Sequence, residues 1–137
     1  MILVDTSVLI DYLKGAKNKK VDLFADVLKQ KLPYGITLHT YQELLQGAKD
    51  EEEFEKLKEY LSALKIYSLP ETTETCEKAA RLFFQLKKQG VPLRSGVDIL
   101  IALTAMENHL LLLHNDRHFD VLGENMDGLK ILKQLYK

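Results

Sequence analysis

Two short runs without a polar side chain, Met1–Val4 and Leu110–Leu113, constrain this chain more than anything else in it. A strand with one face in water alternates apolar and polar residues. An uninterrupted apolar run of this length instead marks a strand covered on both faces, the usual state of a parallel sheet between helices. Around these runs, apolar residues recur at helical spacing: Val8, Leu9, Tyr12 and Leu13, then Val21, Phe24, Val27 and Leu28, then Phe54, Leu57, Leu61 and Leu64. Further on, Ala79, Ala80, Phe83 and Leu86 share one side of a helix over Thr72–Gln89, and Ile99, Leu100, Leu103 and Met106 mark a helix capped by Ser95. Gly15 and Gly90 read as helix stops, Thr40 as the cap of a helix running to about Gly47, and Asp50 as the start of a charged helix. Pro33–Leu38, Lys65–Leu69 and Gly128–Leu132 complete the set of expected strands, and Asn115–Phe119 reads as a polar turn. Strands alternating with helices predict a three-layer α/β/α fold around a short, mainly parallel central sheet. With 137 residues and no repeat, linker or low-complexity segment, residues 1–137 are expected to form a single domain.

Charge narrows the function. The chain carries 19 basic and 20 acidic residues, a formal net charge of −1. Proteins that coat nucleic acid without selectivity carry a clear basic excess, so avid binding of that kind is not expected here. The single cysteine, Cys76, cannot close an internal disulfide, which suits a reducing compartment. Asp5 and Asp11 interrupt the apolar N-terminus before a secretory segment could form, and no run approaches the roughly 20 apolar residues of a membrane span. The expected location is the cytoplasm.

Four acids stand out by position. Asp5 directly follows the first strand, and Asp116 follows the Leu110–Leu113 strand in Asn115-Asp116-Arg117. Glu43 and Asp98 sit three residues after Thr40 and Ser95, near the starts of two helices. Each alone has an ordinary explanation: Asp5 and Asp116 as cap or turn residues, Glu43 and Asp98 as partners in capping boxes. Together they point to one crevice, because sites in open α/β sheets assemble beyond the carboxyl ends of the strands. Carboxylates gathered there repel one another unless a cation compensates, and an all-oxygen donor set suits Mg²⁺ or Mn²⁺. Such a centre can activate water for attack on a phosphodiester.

Other groups carry less. His39, His109, His114 and His118 form no zinc-type pattern, and Ser7, Ser95 and Cys76 read as helix-start or helix-face residues rather than nucleophiles. Arg94, Arg117 and Lys14 are candidates for phosphate contacts, with solvated surface charge as the alternative. The lysines at 17, 19 and 20 fit a solubilising turn, and Asp50–Glu53 a helix N-terminus. Tyr12, Tyr41 and Tyr60 are expected mainly in the core.

The four acid segments resemble those of PIN-domain proteins, and specifically the VapC-type toxin nucleases of toxin–antitoxin pairs. Ile2-Leu3-Val4-Asp5-Thr6-Ser7-Val8-Leu9-Ile10 resembles that family's first strand and first acid. Ile36-Thr37 through Glu43-Leu44-Leu45-Gln46-Gly47 resembles the second, Asp98-Ile99-Leu100-Ile101-Ala102 the third, and Leu113-His114-Asn115-Asp116-Arg117-His118-Phe119 the fourth. The resemblance spans nearly the whole chain, in order. It implies an endoribonuclease that uses Asp5, Glu43, Asp98 and Asp116 as catalytic, metal-holding acids with Mg²⁺ or Mn²⁺, and Thr6 as a polar neighbour of the first. It further implies an RNA substrate, a homodimer, and a cognate antitoxin received by the surface of the first helices. His114 departs from the pattern, standing where the family more often has Thr or Ser; Asn115 and Asp120 are candidates to assist through water or by orienting Asp116, with plain turn chemistry as the alternative. Two other readings compete. A PIN-like scaffold could bind RNA or protein without turnover. A phosphoacceptor of the response-regulator kind would want adjacent acids after the first strand, where this chain has only Asp5.

Overall fold

The computed structural model describes residues 1–135. Its sheet has five strands in the order β3-β2-β1-β4-β5, every neighbouring pair parallel. These are β1 (Ile2–Val4), β2 (Tyr34–Ile36), β3 (Lys65–Ile66), β4 (Leu111–Leu113) and β5 (Lys130–Ile131). Seven helices intervene: α1 (Thr6–Leu13), α2 (Lys19–Lys29), α3 (Leu38–Gln46), α4 (Glu51–Ser62), α5 (Thr73–Lys88), α6 (Gly96–Glu107) and α7 (Arg117–Asn125). The expected three-layer α/β/α architecture is therefore present, with a sheet that is wholly parallel among the described residues.

β1 behaves as a strand covered on both faces, whereas β4, expected to be fully buried, covers Leu112 and Leu113 but leaves Leu111 38% exposed. Within β1, Leu3 joins one core with Ile99, Leu103, Leu112 and Phe119, contributed by α6, β4 and α7. Ile2 and Val4 point the other way, into a second core with Val8, Leu9, Phe24, Val27 and Ile36. The period-two alternation of strand side chains thus divides three successive residues between two helical layers. Tyr12, Tyr41 and Tyr60 pack half-buried against the second core, Tyr12 meeting Phe24 edge-on with centroids 5.0 Å apart. Gly35 in β2 marks a close approach. A Cβ there would lie 2.5 Å from the Lys65 carbonyl oxygen and 2.6 Å from the Tyr67 ring.

Several expected boundaries move. Thr37, not Thr40, caps α3, its Oγ1 accepting the Thr40 N–H at 3.2 Å. β2 ends at Ile36, so the first available hydroxyl begins the helix. The capping box proposed for Thr40 and Glu43 therefore does not exist, and Glu43 lies in the second turn. Ser95 holds the cap position of α6 but makes no side-chain cap hydrogen bond. The stretch read as a polar turn through Phe119 ends earlier, because Asp116 caps α7 by accepting the His118 N–H at 3.0 Å. Phe119 and Leu122, three residues apart, bury that helix against the sheet. The edge strands β3 and β5 are two residues each, shorter than expected.

The chain runs β1, β2, β3 outward on one side of the sheet, then returns to lay β4 against the other edge of β1. That reversal opens a crevice at the carboxyl ends of β1 and β4, where side chains of the following turns converge.

Candidate functional site

Asp5 leaves β1 and Asp116 follows β4 on the two sides of this crevice. Asp98 enters from the first turn of α6 and Glu43 from the second turn of α3. All four line one cavity of about 510 Å³, shared with Thr6, Ser7, His39, Gln42 and Arg94. The four acids thus come together from four separate elements.

Their surroundings differ. Asp5 is 6% exposed and Asp98 5%, whereas Glu43 is exposed and Asp116 half-buried. Burial pushes the Asp5 carboxyl above the usual carboxylate range, and the negative charge of Glu43 adds to this. Hydrogen bonds from Ser7 and Thr6 only partly offset them. Ser7 gives Asp5 Oδ2 two donors, its N–H at 3.1 Å and its hydroxyl at 2.7 Å. The Ser7 hydroxyl also accepts the Asn115 N–H at 2.9 Å, tying the end of β4 to the start of α1. Thr6 Oγ1 lies 3.0 Å from Thr40 Oγ1 and 3.3 Å from Glu43 Oε1, joining the first acid's neighbour to the second acid. Thr6, expected beside the first acid, turns its hydroxyl toward the second instead.

On the other side, Arg94 is the central group. One guanidinium nitrogen, Nη2, lies 3.2 Å from both oxygens of Asp98 and 2.7 Å from Asp116 Oδ2. Asp116 Oδ1 meanwhile faces the His118 ring nitrogen Nδ1 at 2.8 Å. Partial burial acts to raise the Asp116 pKa. The hydrogen bonds from His118 and the Arg94 charge outweigh it and hold the carboxyl below its ordinary value. Arg94, flagged in the sequence only as a phosphate contact, is an internal counter-ion.

The remaining candidates separate cleanly. Arg117 lines an adjoining cavity of about 530 Å³ with Lys20, His114 and Asp120, which shares Ser7, Arg94 and Asp116 with the first, and Lys14 lines neither cavity. Asn115 and Asp120 do not contact Asp116 by side chain. The Asn115 amide donates to Asp11 Oδ2 at 3.0 Å, and Asp120 Oδ1 lies 3.2 Å from His114 Nε2. His114 is 1% exposed, and its Nδ1 accepts the Asp116 N–H at 3.1 Å. Its Nε2, out of line with Asp120, has no hydrogen-bond partner among the described residues. Burial holds its pKa below the usual imidazole value against the pull of Asp120. Sequence reasoning missed His39 and Gln42, which line the cavity from α3, and the pairing of His118 with Asp116. A histidine two residues past a capping aspartate was the one available signal for the latter.

The donor chemistry suits a hard divalent cation. The acids offer only oxygen, and Asp5 is a buried carboxylate held by hydroxyl and amide donors with no basic partner. No three acidic, histidine or cysteine side chains among the described residues already stand as a cation-holding cluster. Asp98 and Asp116 are instead turned onto the same arginine nitrogen.

Residues 2–125 match the PIN domain family model, and the chain belongs to the PIN domain family. It is similar to Ribonuclease VapC1 of Methanocaldococcus jannaschii, 34% identical over 131 residues that cover 95% of this chain and 85% of that protein. The fold is shared with VapBC-1 from nontypeable Haemophilus influenzae (TM-score 0.70, 24% identity, 97% of this chain and 98% of that one). It is also shared with a toxin–antitoxin complex from Klebsiella pneumoniae (TM-score 0.68, 20% identity, 98% and 100%). A DNA-bound VapBC from Salmonella typhimurium gives a TM-score of 0.68 at 22% identity over 96% of each chain.

Proposed function

We propose that this chain is a divalent-metal-dependent endoribonuclease, the toxin of a toxin–antitoxin pair, acting as one domain over residues 1–137. The observation that carries the reading is the convergence of Asp5, Glu43, Asp98 and Asp116 on one cavity at the switch point of a parallel sheet. The name of the Methanocaldococcus relative supplies the reaction class. The toxin–antitoxin and VapBC structures that share the fold supply the kind of partner.

In this reading the four acids hold Mg²⁺ or Mn²⁺. Such an ion supplies Lewis-acid stabilisation of phosphoryl oxygens and a water more acidic than bulk water. The chain's own residues supply the rest. Ser7 fixes the Asp5 carboxylate through two hydrogen bonds, so that acid enters the cavity in one orientation. The Thr6 hydroxyl, shared between Thr40 and Glu43, sets the distance between the halves contributed by α1 and α3. His118 steadies Asp116 from outside the cavity. The near-neutral net charge favours docking of a selected RNA over indiscriminate coating.

An antitoxin covering the first helices and a homodimeric state complete the proposal. The location proposed is the cytoplasm. No helix among the described residues is long and apolar enough to cross a membrane, and the exposed free thiol of Cys76 suits a reducing environment.

The test is cleavage of total cellular RNA with Mn²⁺ and with EDTA, by the wild type and by Asp5→Asn and Asp98→Asn. Metal-dependent cleavage lost in both folded variants is the expected result, and normal cleavage by both overturns the assignment. Calorimetric titration with Mn²⁺ separates an enzyme from a scaffold of the same fold that holds RNA or protein without turnover.

A further inference from the structure

A single arginine nitrogen bridging two acids of a cation-seeking cavity poses a question of occupancy. Arg94 Nη2 sits 3.2 Å from both Asp98 oxygens and 2.7 Å from Asp116 Oδ2, distances of charge-assisted hydrogen bonds. Asp98 is almost fully buried, while the Arg94 side chain is 53% exposed. Arg94 precedes α6 and Asp98 lies in its first turn, so a largely exposed arginine side chain meets a buried acid four residues on. Its path back to solvent is open. Asp98 does not share that freedom, being fixed at the head of a helix whose next residues, Ile99, Ile101, Ala102 and Leu103, are core.

We infer that Arg94 is an exchangeable internal cation: it neutralises Asp98 and Asp116 when the cavity holds no divalent ion, and must leave both carboxylates for such an ion to use them. The proposal rests on the metal-dependent reading above and adds a competition to it. A nitrogen within hydrogen-bonding distance of both Asp98 oxygens and of Asp116 Oδ2 stands in the space between the two carboxylates that a bridging ion would need, and its positive charge repels that ion. Two of the four acids are drawn onto the guanidinium. Asp5 and Glu43, the other two, contact no arginine or lysine in any recorded ion pair among the described residues. The metal-free site is thus half neutralised from within. A divalent ion completes it by displacing the mobile partner and leaving the buried one in place.

Competition makes a prediction opposite to ordinary structural support. A residue that merely props up a metal site weakens metal binding when removed. Removing Arg94 strengthens it. Calorimetric titration of Mn²⁺ alone into the full chain, at fixed salt, is expected to give about tenfold tighter binding for Arg94→Ala than for wild type. Arg117→Ala removes an equal charge from a cavity that Arg94 and Asp116 also line, but Arg117 has no recorded ion pair with the acids, so the affinity is expected to change less than about twofold. Melting curves supply a second readout. Arg94→Ala melts below wild type in EDTA, where its two acids lose their counter-ion, and gains more than wild type from saturating Mn²⁺. Equal tightening by both variants reduces Arg94 to one contributor to the general field and overturns the exchange. Unchanged or weaker binding by Arg94→Ala overturns it as well. If wild type and Arg94→Ala both fail to bind Mn²⁺ and wild type shows no metal-dependent RNA cleavage, the metal-dependent reading itself falls, and the exchange with it.

Discussion

Asp5 and Asp116 occupy equivalent places, each just past the carboxyl end of one of two neighbouring parallel strands, yet they meet opposite electrostatic fates. Asp5 is buried among hydroxyl and amide donors beside another acid, and its carboxyl is pushed above the ordinary range. Asp116, less buried, is held below that range by His118 and Arg94. The strands do not set the difference. It comes from what the next elements bring: α3 delivers a second negative charge to Asp5, whereas the segment before α6 delivers a guanidinium to Asp116. One half of the site is self-compensated, and the other half has no arginine or lysine in a recorded ion pair among the described residues.

The comparison can be broken most decisively by activity. Asp5→Asn and Asp116→Asn are each expected to lower metal-dependent RNA cleavage by more than about 100-fold, since loss of groups behind metal ligands alone costs about 10–100-fold. Normal turnover in either variant would show that the two halves do not serve one centre. Next in size is Thr6→Val, which keeps the shape and removes the hydroxyl facing Thr40 and Glu43. Cleavage should fall about 10-fold or more with the melting temperature little changed, measured by initial rates at saturating Mn²⁺.

A smaller effect sharpens the contrast directly. Because the Asp5 pKa is raised in the fold, its ionised form costs stability, which returns as pH falls through that raised value. The Asp116 pKa is lowered, so its ionised form contributes stability, present above the ordinary carboxylate pKa and lost as pH falls through the depressed one. In EDTA near pH 8, Asp5→Asn should therefore melt higher than wild type and Asp116→Asn lower. Asparagine keeps the helix-capping role at both positions. Shifts of a few degrees are expected, the response of a chain this size to about 1 kcal/mol. Shifts of the same sign would erase the distinction. The smallest effect belongs to His118→Ala, which removes a partly exposed partner of Asp116 and should cost less than about 1 kcal/mol in urea unfolding.

Much of this was legible beforehand for identifiable reasons. β1 and β4 could be read because neither carries a polar residue, although only β1 is covered along its whole length. β3 and β5 were also expected, but came out shorter, because they lie at the sheet edges where only two residues of each pair. The start of α3 was misplaced because Thr37 and Thr40 are equally good caps, and only the end of β2 decides between them. α7 was hidden because its first turn, Arg117-His118-Phe119-Asp120, is mostly polar, and its burial depends on Phe119 and Leu122 meeting a core built by other elements. The four acids were visible from their positions after strands and at helix starts. Arg94 as their counter-ion was not, since an arginine before a helix looks like any surface charge until the fold sets Asp116 beside it.

The decisive question is whether Asp5, Glu43, Asp98 and Asp116 serve a single ion. Anomalous diffraction at the manganese edge, from crystals equilibrated with Mn²⁺, asks this directly. A peak inside the cavity within coordination distance of carboxylate oxygens from both the Asp5 and Asp116 sides is the predicted result. A peak bound elsewhere, or none at saturating Mn²⁺, would contradict it.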